Sequence, residues 1–494
     1  MNPRRPLGEG RGSDTRKIGF HDVRLDQADG AFTIVVNGSP VFVRGVNWIP
    51  DDCFPSRLTR DRLAERLTQA VEANVNLVRV WGGGRYESED FYDLADELGL
   101  LVWQDFPFAC AAYPEEGPFA GEVEAEAREH VARLSARPSL VLWCGNNENI
   151  EGHADWGWQE KLQGRSWGAG FYYDLLPRVV AELDPTRPYW PGSPYSGAPD
   201  LPPNDPARGT IHIWDVWNRE DYSRDAAYRP RFVAEFGFQG PAAYATLRRA
   251  GSEATLTPGS THQKAIDGHD KLLRGLGEHL PQPRDFDDWH YLTQLNQARA
   301  VAFGVEHFRA QWPSCTGTIV WQLNDCWPVV SWAAVDGDGR PKPLWYALRR
   351  AYADRLLTVR DGAVVAVNDS PEPWAGELAL ERLGLDGVTL AEESVHVEVA
   401  PRSTAEVGLP ASVAVPGDPS AELLRATLDG SRTLRFFAED PQVAFPVAAY
   451  ETRVVPEPGG VAVTVTFYVA TERELDPEAL VSRPVLRCLD EARP

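Results

Sequence analysis

Between residues 41 and 352 the chain repeats one unit, a short apolar run followed by a stretch of helical period. "VFVRGVNW" precedes "LTRDRLAERLTQAVEANV", "NLVRVW" precedes "SEDFYDLADELG", and "LLVWQDF" precedes an Ala/Glu/Arg-rich helix across roughly 119–136. "SLVLWCGNNE" precedes "FYYDLLPRVVAEL". The helices have their own boundary signals: Thr59 with Asp61 in the first turn, then Ser88 and Gly99 around the second. Strands separated by helical crossovers lie parallel in one sheet with both faces covered. "PYWPGSP", "GTIHIWD", "RFVAEFG" and "GTIVWQLND" bring the strands to about eight, the number of a β/α barrel. The expected fold class is therefore α/β, a (β/α)8 TIM barrel.

The flanks read differently. Residues 1–17, rich in Gly, Pro, Arg and Ser, are expected to be a disordered tail. Residues 18–40 are a residual strand and a hairpin leading into the barrel, with Asn37-Gly38 as the turn signal. Beyond 353 only Trp374 remains of the 17 tryptophans, and segments such as "GAVVAVNDS" and "GVAVTVTFYVA" alternate like strands. A C-terminal all-β, immunoglobulin-like sandwich is expected over 353–445, and part of a second over 446–494.

Charge and cysteine usage exclude several functions. A formal net charge of −23 repels polyphosphates and anionic lipid, so neither nucleic acid nor membrane is an expected partner. Six cysteines (Cys53, Cys110, Cys144, Cys315, Cys326, Cys488) lack CxxC or finger spacing, which argues against a disulfide framework or a zinc site. No apolar stretch follows the basic N-terminus as a signal peptide would need, and a cytoplasmic location is expected. Oligomeric state is not legible.

Active sites of β/α barrels lie at the C-terminal ends of the strands. Here those ends carry Asn47 and Trp48, Trp81, Asp105, Asn147 and Glu148, Ser193, His212 with Trp214, Glu235, and Trp321 with Asn324 and Asp325. A carboxylate after a buried strand is costly to desolvate unless it is paired or used. Two of them, Glu148 and Glu235, on one rim among Asn and Trp suggest the paired carboxyls of glycoside hydrolysis, one kept protonated and one ionised. Trp rings would stack on sugar faces and Asn and Asp would hold hydroxyls. "WGGGR" (81–85) lacks phosphate-loop spacing and reads as a tight loop; "DGDGR" (336–340) reads as a turn rather than a calcium loop. His212 is either an acid–base group or a hydrogen-bonding wall residue, and Cys326 is read as packing.

"RGVNWIP", "NLVRVWGGGRYE", "LLVWQDFPFACAAYP", "SLVLWCGNNENIE", "RFVAEFGFQG" and "GTIVWQLNDCWPVVSWA" together resemble the catalytic domain of the β-mannosidases of glycoside hydrolase family two, from about residue 18 to 350. The resemblance implies a retaining exo-hydrolase, without metal or cofactor, that releases terminal β-linked mannose from β-mannoside oligosaccharides. Glu148 matches the family's general acid/base and Glu235 its nucleophile. Asn147 matches the group that holds the 2-hydroxyl. Trp81, Asp105 and Trp321 match the wall of the terminal-sugar subsite, with Asn324, Asp325 and Trp332 as further pocket members.

The departures are specific. Complete family members carry two sandwich domains before the barrel, of which "KIGFHDVRL" looks like the last strand of the second, and their first domain lends a carboxylate to the terminal sugar. Ile213 stands where many relatives have an aromatic residue, often Tyr, and Phe236 and Phe238 replace Tyr in the nucleophile motif. Two other readings stay open: the same mechanism on another β-glycoside, or an inactive, truncated carbohydrate-binding homologue.

Overall fold

The computed structural model describes residues 18–251, 260–445, 449–457 and 460–468. The expected tail over 1–17 and the end of the expected second sandwich (469–494) lie outside the described residues.

Eight parallel strands form one curled sheet: Val43–Trp48, Leu77–Val80, Leu101–Asp105, Leu140–Cys144, Tyr189–Trp190, Ile211–Ile213, Val233–Phe236 and Gly317–Val320. They are numbered one to eight here. Strand eight pairs with strand one, Gly317 opposite Val43, and pairing runs unbroken from one to five and back from eight to six. Strands five and six close the circle without a regular ladder. Tyr195 and Thr210 exchange both backbone hydrogen bonds (3.1 and 3.0 Å), and the Trp190 indole donates to Thr210 Oγ1 at 3.2 Å. The result is a sheet of the β/α-barrel kind.

Local chemistry sets the helices around it. Thr59 caps Arg60–Glu72 by accepting from the Arg62 amide at 3.3 Å, and Glu89–Leu98 ends on Gly99 at φ 72°. The third helix, expected across 119–136, spans Gly117–Leu134. The strands are buried on both faces and therefore read as near-continuous apolar runs.

A small antiparallel sheet (Val23–Asp26, Thr33–Val36, Ser39–Pro40) precedes strand one, and its two-residue turn has Asn37 at φ 51° and Gly38 at φ 76°. It delivers Phe32, fully buried, into the N-terminal end of the barrel against Trp190 and Phe232 (both 4.9 Å between ring centroids) and Trp103 (5.5 Å). That end is filled with aromatic rings, which leaves chemistry to the other.

After the barrel, sheets of three strands (Arg355–Arg360, Ala363–Asn368, Ser403–Gly408) and four strands (Trp374–Gly384, Thr389–Val399, Glu422–Leu428, Ser431–Phe436) face each other. Leu357, Val364 and Ala366 of one meet Trp374, Leu378, Val397 and Leu424 of the other in a shared core. A hairpin, Ala449–Glu457 with Gly460–Tyr468, follows. Arg309 of the last long barrel helix, Phe286–Arg309, pairs with Asp369 at 2.7 Å, and Trp312 donates to the Arg402 carbonyl at 2.7 Å. Among the described residues no helix is long and apolar enough to cross a membrane.

His279 forms a second tie between barrel and sandwich. Its Nε2 lies 2.8 Å from Asp221 and its Nδ1 3.0 Å from Glu439, beside an Arg299–Asp440 pair at 2.7 Å. Burial works against the charged ring, but the two carboxylates outweigh it and raise the pKa to about 9. A raised folded-state pKa contributes stability that is complete below the ordinary value of 6.5 and is lost as pH climbs through about 9. His279→Gln is expected to lower Tm at pH 6 by about 2 °C, as suits a half-exposed pair, with the difference gone by pH 10 in differential scanning calorimetry. An equal difference at both pH values would refute the pairing.

Candidate active site

Arg79, on strand two, has no exposed surface and sits at the centre of the C-terminal end of the barrel. Its guanidinium grips Asp105 of strand three through Nε (3.3 Å) and Nη2 (2.8 Å). The same fork donates to Asn47 Oδ1 of strand one (3.0 Å), Asn147 Oδ1 beyond strand four (2.8 Å) and Glu235 Oε1 of strand seven (2.6 Å). The strand-two sequence Leu77–Val80, otherwise apolar, carries this charge inward because barrel residues alternate between core and helix layer. Five strand ends are thereby indexed to one rigid cation.

Glu148 and Glu235 converge on His212. Its Nδ1 lies 2.8 Å from Glu148 Oε1 and 3.4 Å from Glu235 Oε2, so the sum of these distances caps the separation of those two oxygens. That cap falls below the roughly 6.5–9.5 Å between carboxyls in inverting glycosidases. The imidazole Nε2 is 2.8 Å from Ser193 Oγ, a bond across the junction of strands five and six. Burial pulls the pKa of His212 down to about 4, so the ring is neutral at neutral pH.

The two carboxyls have different surroundings. Burial raises both. Glu235 is offset by direct contact with the Arg79 cation, and its Oε2 accepts from the Trp214 indole at 3.3 Å. Glu148 is met by weaker donors: the Cys110 thiol lies 3.2 Å from Oε2. The geometry favours Glu235 as the ionised group and Glu148 as the protonated one. Glu148 is also held at φ 63°, a left-handed conformation that costs a non-glycine residue about 1–2 kcal/mol. Its amide donates to the Ser193 carbonyl and its carbonyl accepts from Gly152, both at 2.7 Å, which fixes the conformation.

Trp81, Trp214, Trp321 and Trp332 are half-buried, unlike the core rings Trp48, Trp103 and Trp143. Trp321 meets Trp81 (5.0 Å) and Trp214 (6.4 Å) edge to face, and Trp214 meets Trp332 at 5.9 Å, making a continuous aromatic wall beside Glu235. The wall explains the glycines of "WGGGR": a Cβ on Gly83 would lie 2.0 Å from the Trp81 ring.

Three expected pocket residues are turned to other work. Asn324 gives its amide to the Ile49 carbonyl (2.9 Å) and Asp51 (3.0 Å), clasping the loops after strands eight and one. Asp325 accepts from Ser331 (2.6 Å) and Gln322 (3.2 Å). Asp105, besides Arg79, accepts from the Trp103 indole (2.8 Å) and the Gly82 amide (3.0 Å), which occupies its oxygens. Each is a buried polar group that found its partners within the chain. The "DGDGR" segment is a turn, closed by the Asp336 amide on the Arg340 carbonyl at 3.0 Å.

Sequence reasoning missed Arg79, Cys110 and Glu151. The signal for Arg79 was a lone base inside an apolar strand, and for Glu151 the three-residue spacing from Glu148 along the helix Asn149–Asp155. Glu151 accepts from Asn204 at 3.1 Å, and burial, with the charge of Asp155 nearby, pushes it up to about 8. One ligand atom from each of Glu148, Glu151 and His212 falls within 4.8 Å of the others. Cys110 offered no local signal; it reaches the site from a loop position at φ 51°.

A parallel barrel with two opposed carboxyls, neutral imidazole and aromatic wall at its C-terminal end has the construction of a glycoside hydrolase. No protein-family model matches the chain. It is 36% identical over 358 residues to a β-mannosidase from Capra hircus, covering 66% of this chain and 40% of that protein. It is 33% identical over 434 residues to β-mannosidase B from Aspergillus niger, covering 79% and 51%. The crystal structure of a β-D-mannosidase from Dictyoglomus thermophilum superposes with a TM-score of 0.83 at 35% identity, covering 92% of this chain and 57% of that one. The chain belongs to this family, the β-mannosidases of glycoside hydrolase family two. It spans between 40% and 51% of the length of the two curated relatives named above.

Replacing Arg79 by Met leaves Asp105 and Glu235 buried without their cation. Urea denaturation is expected to register a loss of about 3–5 kcal/mol. A loss below 1 kcal/mol would mean that the guanidinium does not hold the strand ends together.

Proposed function

We propose that the chain is a retaining exo-glycosidase that releases terminal β-D-mannose from β-mannosides by double displacement. The observation that carries this is the single His212 nitrogen within reach of both Glu148 and Glu235. Glu235 attacks the anomeric carbon while Glu148 gives its proton to the leaving-group oxygen. Glu148, then ionised, takes a proton from the water that cleaves the mannosyl–Glu235 ester. Asn147 accepts from Arg79 through Oδ1, and its Nδ2, which gives one proton to Cys110 Sγ at 3.5 Å, has a second for the axial 2-hydroxyl beside the reacting carbon. The four half-buried indoles supply faces for the sugar.

Arg79 bears on which sugar is taken. It is the base nearest the two carboxyls, and all its contacts are spent on Asp105, Glu235, Asn47 and Asn147. A uronate would find no free cation in this group, which disfavours glucuronides. An intact pair of carboxyls likewise disfavours an inactive binding protein. We read the seven-stranded sandwich as immunoglobulin-like and the hairpin after it as the start of a second unit.

Glu235→Ala is expected to lower kcat on an aryl β-D-mannoside by about 10⁴-fold or more, and the first product of the unaltered protein, followed by proton NMR, is expected to be the β anomer of mannose. Initial release of the α anomer would exclude the mechanism. A panel of aryl galactosides, glucosides and glucosaminides tests the sugar directly. Trp214→Phe removes a donor that lowers both the Glu235 and the Glu148 carboxyl, so both pKa values rise and both limbs of the kcat/KM profile should move to higher pH. An unmoved acidic limb would detach Trp214 from the nucleophile.

A further inference from the structure

Two cysteines from opposite ends of the barrel sequence meet on neighbouring loops at the C-terminal end of the strands. Cys53 lies in the loop after strand one, and Cys326 in the loop after strand eight that carries Trp321 and Trp332. These strands are neighbours, and their loops are already clasped by Asn324, whose amide bonds the Ile49 carbonyl and Asp51. Cys53 is exposed, and its Sγ lies 3.5 Å from the carbonyl oxygen of Cys326. The Cys53 thiol therefore sits directly against the backbone of the residue that carries the second thiol. The proposed mechanism employs neither, and the other described cysteines are placed differently: Cys144 and Cys315 are buried, and Cys110 faces Glu148.

We propose that Cys53 and Cys326 form a modification site, joined into an intrachain disulfide by a low-molecular-weight disulfide such as oxidised glutathione. The exposed Cys53 reacts first. Its thiolate attacks one sulfur of the reagent, forms a mixed disulfide and expels one glutathione thiolate. The Cys326 thiolate then attacks the Cys53 sulfur, forms the protein disulfide and expels the second glutathione. Two protein thiols lose two protons and two electrons, and the reagent is reduced to two thiols. Burial, with Cys53 and Asp325 nearby, holds the Cys326 thiol up to about 12, so the second step is the slow one. The bond closes a loop between residues 273 positions apart. It pins the first and last βα loops of the barrel together beside the aromatic wall, and so restricts the unfolded chain.

The reduced chain is incubated with oxidised glutathione at pH 8.5 and digested without reductant for mass spectrometry. The expected result is a linked Cys53–Cys326 peptide pair and a Tm raised by roughly 5 °C, reversed by dithiothreitol. Cys53→Ser and Cys326→Ser, each folded as judged by circular dichroism, are expected to lose both the link and the shift. A glutathione adduct that persists on Cys53 without cross-linking would overturn the proposal. So would two free thiols after prolonged incubation, or an undiminished Tm shift in either variant.

Discussion

One guanidinium organises the catalytic end of this barrel. Arg79 is fully buried, and a buried cation is tolerable only where carboxylates and hydrogen-bond acceptors replace its water. Asp105 takes the planar fork, Asn47 and Asn147 take further protons, and Glu235 takes the remaining edge. Charge balance within this group follows. Arg79 faces two carboxylates, Asp105 and Glu235, while His212 is neutral and adds nothing positive. A third ionised carboxyl at Glu148 would add a further unbalanced charge in a poorly solvated cavity, which supports the proposed reading of Glu148 as the acid. The proposed division of labour between the two glutamates rests on where one arginine sits.

The site also straddles the weakest line of the sheet. Strands five and six share no regular ladder, and Ser193, His212 and the Tyr195–Thr210 pair join them instead. Glu148 is tied across this line through the Ser193 carbonyl and through His212. Backbone strain such as the left-handed conformation of Glu148 persists where surrounding bonds over-determine it, and it concentrates at functional positions. The donor that Ile213 does not provide comes one residue later, from the Trp214 indole on Glu235. Phe236 and Phe238 are core rings against Phe308 and Trp217, which explains why a phenol is dispensable there.

Much of this was legible in the residues. Alternating apolar runs and amphipathic stretches imply a parallel sheet because both faces of each strand must be covered, and eight such runs imply closure. Glu148 and Glu235 were visible because an acid that ends a buried strand has no cheap structural explanation. The same rule singled out Asp105, Asn324 and Asp325. They also end buried strands, but their partners, Arg79, Asp51 and Ser331, come from other segments of the chain. Nothing in a linear sequence shows that these groups are already satisfied.

By itself the sequence determined the class of sheet and singled out two acids that end buried strands at one end of the barrel, since periodicity and burial cost are local properties of a chain. Only the tertiary structure decided which polar residues face the cavity and which brace it. It also brought Glu148 and Glu235 to one imidazole, and the Cys53 thiol against the backbone of Cys326. Those outcomes depend on distances between residues far apart in sequence, set by barrel closure and by the partners each buried group finds once the strands are in register.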